Sequence, residues 1–315
     1  MLAYVIKRVL AIAASLLVAS VLVFAIVQVL PGDVAQMILG RDATPESLAA
    51  LRRDLGLDQP LPQRYGDWIA GVLRGDFGRA ISIPGFPVGA LIADRAANSL
   101  ALAALASLLI VPLAIGLGTL AGLRPNGLFD RIVSVGSMIT ISLPEFASAI
   151  FLIILFAKVF PILPSMSILN ARIGLGAQLH LLILPALTLS LISTGYVLRM
   201  VRASVIEVAT SEQVKVATLT GVSPGRILFQ YVLRNALAPA VTIIAMNMGW
   251  LIGGLVVVET VFAYPGLGSL LLHAVTQRDV PLIQGAALCS VGAYLVMNLI
   301  ADLIYLGLNP QLRPA

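Results

Sequence analysis

Long apolar stretches dominate the chain and are separated by shorter polar segments. Six of them have about 18 or more residues, the length that crosses a bilayer as a helix. They occupy residues 9–30, 98–122, 132–160, 179–198, 236–263 and 280–308. A helix over the first of these would be about 33 Å long, enough to cross the hydrocarbon core. The pattern predicts an all-α, polytopic membrane protein with about six transmembrane helices.

Composition agrees with lipid as the solvent of this chain. Of its 315 residues, 59% are apolar and only 11% are charged, and the mean hydropathy is +1.00. Soluble domains carry roughly 25% charged residues, so a water-soluble fold is excluded. The net charge of +5 is modest, and no basic and aromatic cluster suggests a nucleic-acid partner.

The first apolar stretch follows Lys7 and Arg8 and could be mistaken for a secretory signal peptide. Its apolar core is longer than the roughly 15 residues of such a signal, and no A-x-A-like cleavage site precedes Pro31. We therefore expect residues 1–30 to be a retained first transmembrane helix.

Residues 31–96 have a different composition, because they contain 15 of the 35 charged residues. Thr44 suits a helix N-cap, Pro45 suits the first helical position and Gly56 suits the helix end. The segment is predicted to be a small folded extracytoplasmic (periplasmic) domain. Residues 97–308 would then form a five-helix core with a long loop at 199–238, followed by a tail at 309–315.

Lysines and arginines in the short loops predict the orientation. With the N-terminus inside, three lie outside, namely Lys158, Arg172 and Arg278. Ten lie inside, namely Lys7, Arg8, Arg124, Arg131, Arg199, Arg202, Lys215, Arg226, Arg234 and Arg313. Both termini are therefore expected in the cytoplasm.

The loop at 199–238 is too long for a simple connection, since loops within helix bundles usually have about 2–8 residues. Ser211 is predicted to cap a helix over Glu212–Thr220 that ends at Gly221. Ser223 would cap a second helix that begins with Pro224. One interpretation is a solvated loop with positive-inside charge. The other is a helix–turn–helix on which a soluble cytoplasmic protein docks.

The sequence of this loop resembles the coupling loop of bacterial importer permeases of the ABC class. The similarity is closest to the dipeptide, oligopeptide and nickel group, first permease subunit type. It rests on K-V-A-T-L-T-G at 215–221 and L-R-N-A-L-A-P at 233–239. The general motif places an acid where this chain has Lys215. The resemblance assigns ATPase coupling to Ser211, Glu212, Lys215, Ala217, Gly221, Val222 and Pro224.

Other stretches resemble the same group in the same order along the chain. They are P-G-D at 31–33, D-L-G-L-D-Q-P-L at 54–61, G-D-F-G at 75–78, E-T-V-F at 259–262, P-G-L-G at 265–268 and N-L-I-A-D at 298–302. The resemblance implies a bacterial inner-membrane complex. Its other members would be a second, homologous permease subunit, two cytoplasmic ATPases that bind ATP and Mg, and an extracytoplasmic substrate-binding protein. This chain would hold no cofactor and do no chemistry.

Motifs for chemistry in the chain itself are weak. None of the three lysines follows a glycine, so there is no G-x-x-x-x-G-K-[ST] loop for ATP. G-V-S-P-G at 221–225 fits a nucleophile elbow only formally, because a helix rather than a strand precedes it. His180, His273 and Cys289 are not placed together by any pattern, so no metal site is predicted.

Polar residues within the apolar stretches are the candidates for the transport path, because a charge in lipid is costly. Glu145 lies about one residue from the midpoint of 132–160, after Pro144, and either lines the path or makes a structural hydrogen bond. Glu259 lies nearer a helix end, where a structural role is the alternative. Asn247 and Trp250 are weaker candidates. Such carboxylates also leave an ion-gradient-driven secondary transporter as the alternative function. Gly118 with Gly122, and Gly249 with Gly253, suit close helix packing.

Overall fold

The computed structural model describes residues 2–29, 43–54, 58–168, 174–237 and 255–308, together with the single positions 36, 39, 56, 241 and 244. Within these residues the secondary structure is helical, apart from one antiparallel bridge between Arg79 and Pro87. The all-α prediction is therefore confirmed.

The described residues contain the following helices, given in chain order. They are α1 Leu2–Val29, α2 Pro45–Asp54, α3 Leu61–Leu73, α4 Val88–Leu123, α5 Leu128–Ser142, α6 Glu145–Ile153 with a π-helical end Ile154–Val159, α7 Leu175–Ala209, α8 Glu212–Leu219, α9 at 224–237 (including the π-helical Ile227–Leu233), α10 at 255–261, α11 Leu267–Thr276 and α12 Val280–Leu308.

Four helices among the described residues are long and apolar enough to cross a membrane, namely α1, α4, α7 and α12. The pair α5 and α6 also qualifies if it is counted as one bent span. The polytopic architecture is thus confirmed. Most of the apolar stretch 236–263 lies outside the described residues, so the number six stays a prediction.

The third apolar stretch differs from expectation, because 132–160 is not one helix. It breaks between Ser142 and Glu145, and the two parts are bent by 110°. Leu143 and Pro144 both have extended backbone, with ψ of 133° and 142°. Proline has no N–H to donate and disfavours helical geometry at the residue before it. Pro144 therefore ends one helix and begins the next rather than kinking a continuous one.

The chain divides into two compact units. One contains residues 98–266 and the chain from 294 onward, and the other contains residues 2–97 and 267–293. The described part of 31–96 therefore belongs to the same unit as α1 and α11. The long helices α4 and α12 each have residues in both units.

Helix α7 is the central element of the first unit. In its most apolar stretch 67% of residues are buried, compared with at most 22% in α1, α4 and α12. Gly118 and Gly122 let α4 approach it closely: a Cβ at either glycine would lie 2.8 Å from Val201 or Val205. These two glycines therefore serve packing within the chain, as close glycine-mediated approach requires. The pair Gly249 and Gly253 lies outside the described residues.

A buried carboxylate organises the second unit. Asp279 precedes α12 and accepts hydrogen bonds from the backbone N–H groups of Ile81, Ser82 and Leu282, at 2.8, 2.8 and 3.1 Å. The Ser82 hydroxyl donates a further bond of 2.7 Å. Asp279 thus caps α12, as acidic residues do at helix starts, and ties the loop before α4 to it.

Candidate coupling elbow and transport-path residues

Residues 210–237 form two short arms joined by a turn, which we call the elbow. Its first arm, α8, begins at Glu212 and its second arm, α9, begins at Pro224, both as predicted. Ser211 and Ser223 have the extended backbone of N-cap residues, but neither hydroxyl makes a capping hydrogen bond. The side-chain capping expected from these serines is therefore wrong, although the helix starts are right.

Gly221 ends α8 in a left-handed conformation with φ of +79°. Its N–H donates to the Thr218 carbonyl at 3.1 Å, and the Val222 N–H donates to the Ala217 carbonyl at 3.1 Å. This pair of bonds is a Schellman motif, which satisfies the last helical carbonyls. A Cβ at Gly221 would meet no atom within 4 Å. The glycine is therefore required by its backbone angle and not by crowding.

One face of α8 is buried and another is exposed. Val214 and Ala217 are buried, and Val214 belongs to the same hydrophobic core cluster as Val232 of the second arm. On the outside, Val216, Leu219 and Phe229 are 57%, 87% and 69% exposed. We call these three side chains the elbow tip. Among the described residues, the elbow lies outside every helix that is long and apolar enough to cross a membrane, so the exposure of these side chains is not that of a lipid-facing span.

Lys215 occupies the position where related motifs have an acid. Its Nζ lies 2.8 Å from Oε1 of Glu212, and both side chains are largely exposed. Exposed ion pairs contribute only about 0–1 kcal/mol. This ion pair therefore contributes little to the stability of α8. The exposed apolar side chains of the elbow tip are the more distinctive feature of the elbow surface.

An ion pair at the base of the elbow was not predicted from the sequence. Arg202, on the part of α7 that leads into the elbow, forms a two-pronged contact with the buried Asp130 of α5. The N–H of Asn126 and the hydroxyl of Ser134 also donate to Asp130, at 2.8 and 3.2 Å. A guanidinium matches a carboxylate in this geometry. Because 71 residues separate the two charges in sequence, local patterns contained no signal for the pair.

Glu145 is the first residue of α6 and lies directly after the 110° bend. Its side chain is partly buried, and among the described residues it makes no hydrogen bond or ion pair. The start of a helix is the end that favours a carboxylate. The structural hydrogen bond considered for Glu145 is therefore not found in the described part of the chain. Its role in the transport path stays a prediction.

Glu259 is fully buried within the first unit. It accepts a hydrogen bond of 2.5 Å from Ser99, and a Cβ at Gly266 would lie 2.0 Å from its Oε1. The backbone N–H of Tyr264 donates to the Glu259 carbonyl at 2.7 Å. This enclosed position favours the structural alternative over contact with a passing solute. The other two path candidates, Asn247 and Trp250, lie outside the described residues.

If the solutes are peptides, as the sequence resemblance implies, Glu145→Gln is expected to slow transport of those with a free N-terminal ammonium by about tenfold, the value of one charge-assisted hydrogen bond. Glutamine keeps the shape and removes the charge. Uptake of N-acetylated and free peptides by the same cells measures the difference. The Glu46→Gln variant, on exposed α2, is the matched control. An equal change for both peptides would contradict contact with a substrate charge.

Comparison with known proteins agrees with this architecture. Residues 114–314 match the family described as binding-protein-dependent transport system inner membrane component. Residues 1–91 match the N-terminal part of the membrane component of the same kind of system. The chain belongs to this family. It is a permease subunit of an ATP-driven importer, which decides against the ion-gradient alternative.

Curated relatives match the permease over nearly its whole length. A probable peptide ABC transporter permease of Sinorhizobium fredii is 34% identical, over 98% of this chain and 99% of that protein. A putative peptide transport system permease of Brucella abortus is 35% identical, over 99% of each. A glutathione transport system permease of Shigella flexneri is 36% identical, also over 99% of each. The resemblance found in the sequence is thus confirmed, and the permease is a multi-pass inner-membrane protein.

Proposed function

We propose that this permease carries small peptides, including glutathione-like ones, across the inner membrane with a second, homologous permease subunit. An extracytoplasmic binding protein delivers the solute, and two cytoplasmic ATPases, which bind ATP and Mg, drive transport. The relatives named above are peptide and glutathione permeases, which supports this substrate class. Measuring which peptides stimulate ATP hydrolysis by the reconstituted complex with its binding protein tests the class directly.

The observation that carries the coupling role is the elbow tip. A patch of exposed apolar side chains that does not face lipid marks a protein-interaction site, and the elbow tip presents three such side chains on two arms that share one core cluster. We assign the elbow tip as the docking site of an ATPase subunit. Movement of that subunit passes through α7, which runs without interruption from the elbow into the core of the first unit.

Leu219→Asp is expected to remove the ATPase subunits from the purified complex. A charge would replace an apolar side chain that is 87% exposed. The fold therefore loses no buried contact, whereas the docking site loses its apolar contact with the ATPase subunit. Co-purification through a tag on the permease measures the ratio of ATPase to permease. Thr210→Asp, at an exposed position of the elbow away from the tip, is the control. An unchanged ratio of ATPase to permease in Leu219→Asp would contradict the proposed docking site.

Both termini and the elbow are proposed to lie in the cytoplasm, and α3 on the opposite side. Gly66→Cys and Gly225→Cys suit a labelling test, because a Cβ at either position meets no atom within 4 Å. In a Cys289→Ser background, a membrane-impermeant maleimide added to spheroplasts should label Gly66→Cys and leave Gly225→Cys unlabelled until lysis. The reverse pattern, or labelling of both before lysis, would contradict the orientation.

A further inference from the structure

A cavity of about 240 Å³ lies in the second unit, where the apolar part of α1 ends. It is bounded by α1, α3 and the start of α12. Its lining includes Phe24, Gln28, Arg64, Asp67, Trp68 and Gln284. With Gln59, which also lines it, a guanidinium, a carboxylate, three amides and two aromatic rings border this cavity.

The polar groups of the cavity retain the capacity to bind a ligand. Arg64 donates one hydrogen bond, to Oε1 of Gln28 at 3.1 Å, and makes no ion pair among the described residues. Gln284 is only 5% exposed, yet no partner for its amide is found in the described part of the chain. Because Gln284 lines the cavity, its amide is available to a ligand there.

The position of the cavity connects it to lipid. On α1, Leu22 lies two residues before Phe24 and Ile26 lies between Phe24 and Gln28, and these two side chains are 55% and 63% exposed. Beside the cavity, the rings of Phe24, Tyr65 and Trp68 pack with centroids 5.5 to 6.1 Å apart. Tryptophan and tyrosine concentrate where a bilayer meets water. The cavity therefore lies at the depth of lipid head groups.

We propose that this cavity binds the head group of a phospholipid that carries a primary amine, such as phosphatidylethanolamine. Arg64 binds the phosphate, as its planar fork suits phosphate oxygens. Asp67 and the face of Trp68 receive the ammonium, through charge and through cation–π attraction. The acyl chains lie along the exposed apolar side of α1. The amide of Gln284 donates to a head-group oxygen.

The size of the cavity favours a head group over a peptide. Sites for whole small molecules usually measure about 300–1,000 Å³, and this one is smaller. A head group needs only its polar end enclosed, because its tails remain in the bilayer. One positive charge at Arg64 and one negative charge at Asp67 match a zwitterion, so an anionic lipid without an amine would give Asp67 no partner.

A photoactivatable phosphatidylethanolamine, with its reactive group on the acyl chain near the glycerol, tests the proposal on the full-length purified permease. Mass spectrometry of the digested protein should place the cross-link in residues 20–28 or 61–73. Unlabelled phosphatidylethanolamine should compete, and phosphatidylcholine should compete about tenfold more weakly because its amine cannot donate hydrogen bonds. Arg64→Gln and Asp67→Asn should each raise the competing concentration about tenfold. Arg74→Gln, at an exposed arginine directly after α3, should match the unmodified permease.

Several outcomes would overturn the proposal. Cross-links spread evenly along α1 and α12 would show ordinary surrounding lipid without a site. Competition by inorganic phosphate as strong as by the lipid would show a general anion site. Competition by a dipeptide would show a peptide site. Gel filtration verifies that both variants fold. The more exposed Asp67→Asn supports no packing, so unchanged labelling in that variant would exclude the role of the ammonium.

Discussion

Arg202→Ala is expected to destabilise the permease by about 3–5 kcal/mol, the usual cost of removing one partner of a buried ion pair. The side chain of Asp130 is only 3% exposed, and the fork of Arg202 contacts both of its oxygens. Without the guanidinium, a charged carboxylate would stay buried with only the Asn126 N–H and the Ser134 hydroxyl as donors. A lower thermal midpoint in detergent measures the loss.

Arg199→Ala is the matched control, because Arg199 lies three residues earlier on the same helix and is exposed. Its effect should stay within about 0.5 kcal/mol, as for most surface substitutions. Replacing both Asp130 and Arg202 by leucine should restore much of the stability, since no unpaired charge would remain buried. Equal midpoints for Arg199→Ala and Arg202→Ala would contradict the anchoring role of the pair.

Because the membrane spans are surrounded by lipid, part of this fold can be predicted from the sequence. A bilayer requires every backbone group in a span to be satisfied internally, so long apolar stretches become helices. This rule correctly predicts α1, α7 and α12. It does not predict that α4 begins at Val88, ten residues before the apolar stretch at 98. Those residues contain Asp94 and Arg95, and packing of Val88 and Ile92 in the second unit, not lipid, explains their helix.

The break at Pro144 shows where apolar patterning loses information. Apart from Glu145, Lys158 and small hydroxyl side chains, the stretch 132–160 is apolar throughout, and proline in a span is compatible with a kink as well as with a full break. A further signal was present: Glu145 directly after the proline is the acidic first turn of a new helix. This local signal places Glu145 at a helix start. The long apolar stretch alone places it in the middle of a span.

Tertiary pairings explain the residues that sequence reasoning missed. Asp130 meets Arg202, and Asp279 meets residues 81 and 82, across distances of 72 and about 198 positions in the chain. Periodicity and capping rules act within a few turns, so they contain nothing about such contacts. The elbow was predicted well for the opposite reason. Its starts, its glycine end and its second proline-led arm are all local features.

Gly221→Val is expected to lower transport at least tenfold, while membrane insertion stays normal. A left-handed backbone costs an ordinary L-residue about 1–2 kcal/mol, and a β-branched side chain fits this region still less well. Valine would therefore abandon φ of +79° and break the bonds from residues 221 and 222 to the Thr218 and Ala217 carbonyls. The second arm would then leave α8 in a different direction. Peptide uptake and permease content of isolated membranes measure the two effects.

Gly221→Asn separates this explanation from simple loss of space. Asparagine tolerates the left-handed region better than other non-glycine residues, and a Cβ at position 221 meets no atom within 4 Å. Transport in Gly221→Asn should therefore stay within about twofold of the unmodified permease, with Gly221→Ala between the two variants. If Asn and Val reduced transport equally, a bound partner that fills the space beside Gly221 would explain the loss. If neither variant reduced transport, the direction in which the second arm leaves α8 would not control coupling, because valine is the variant that opens the turn.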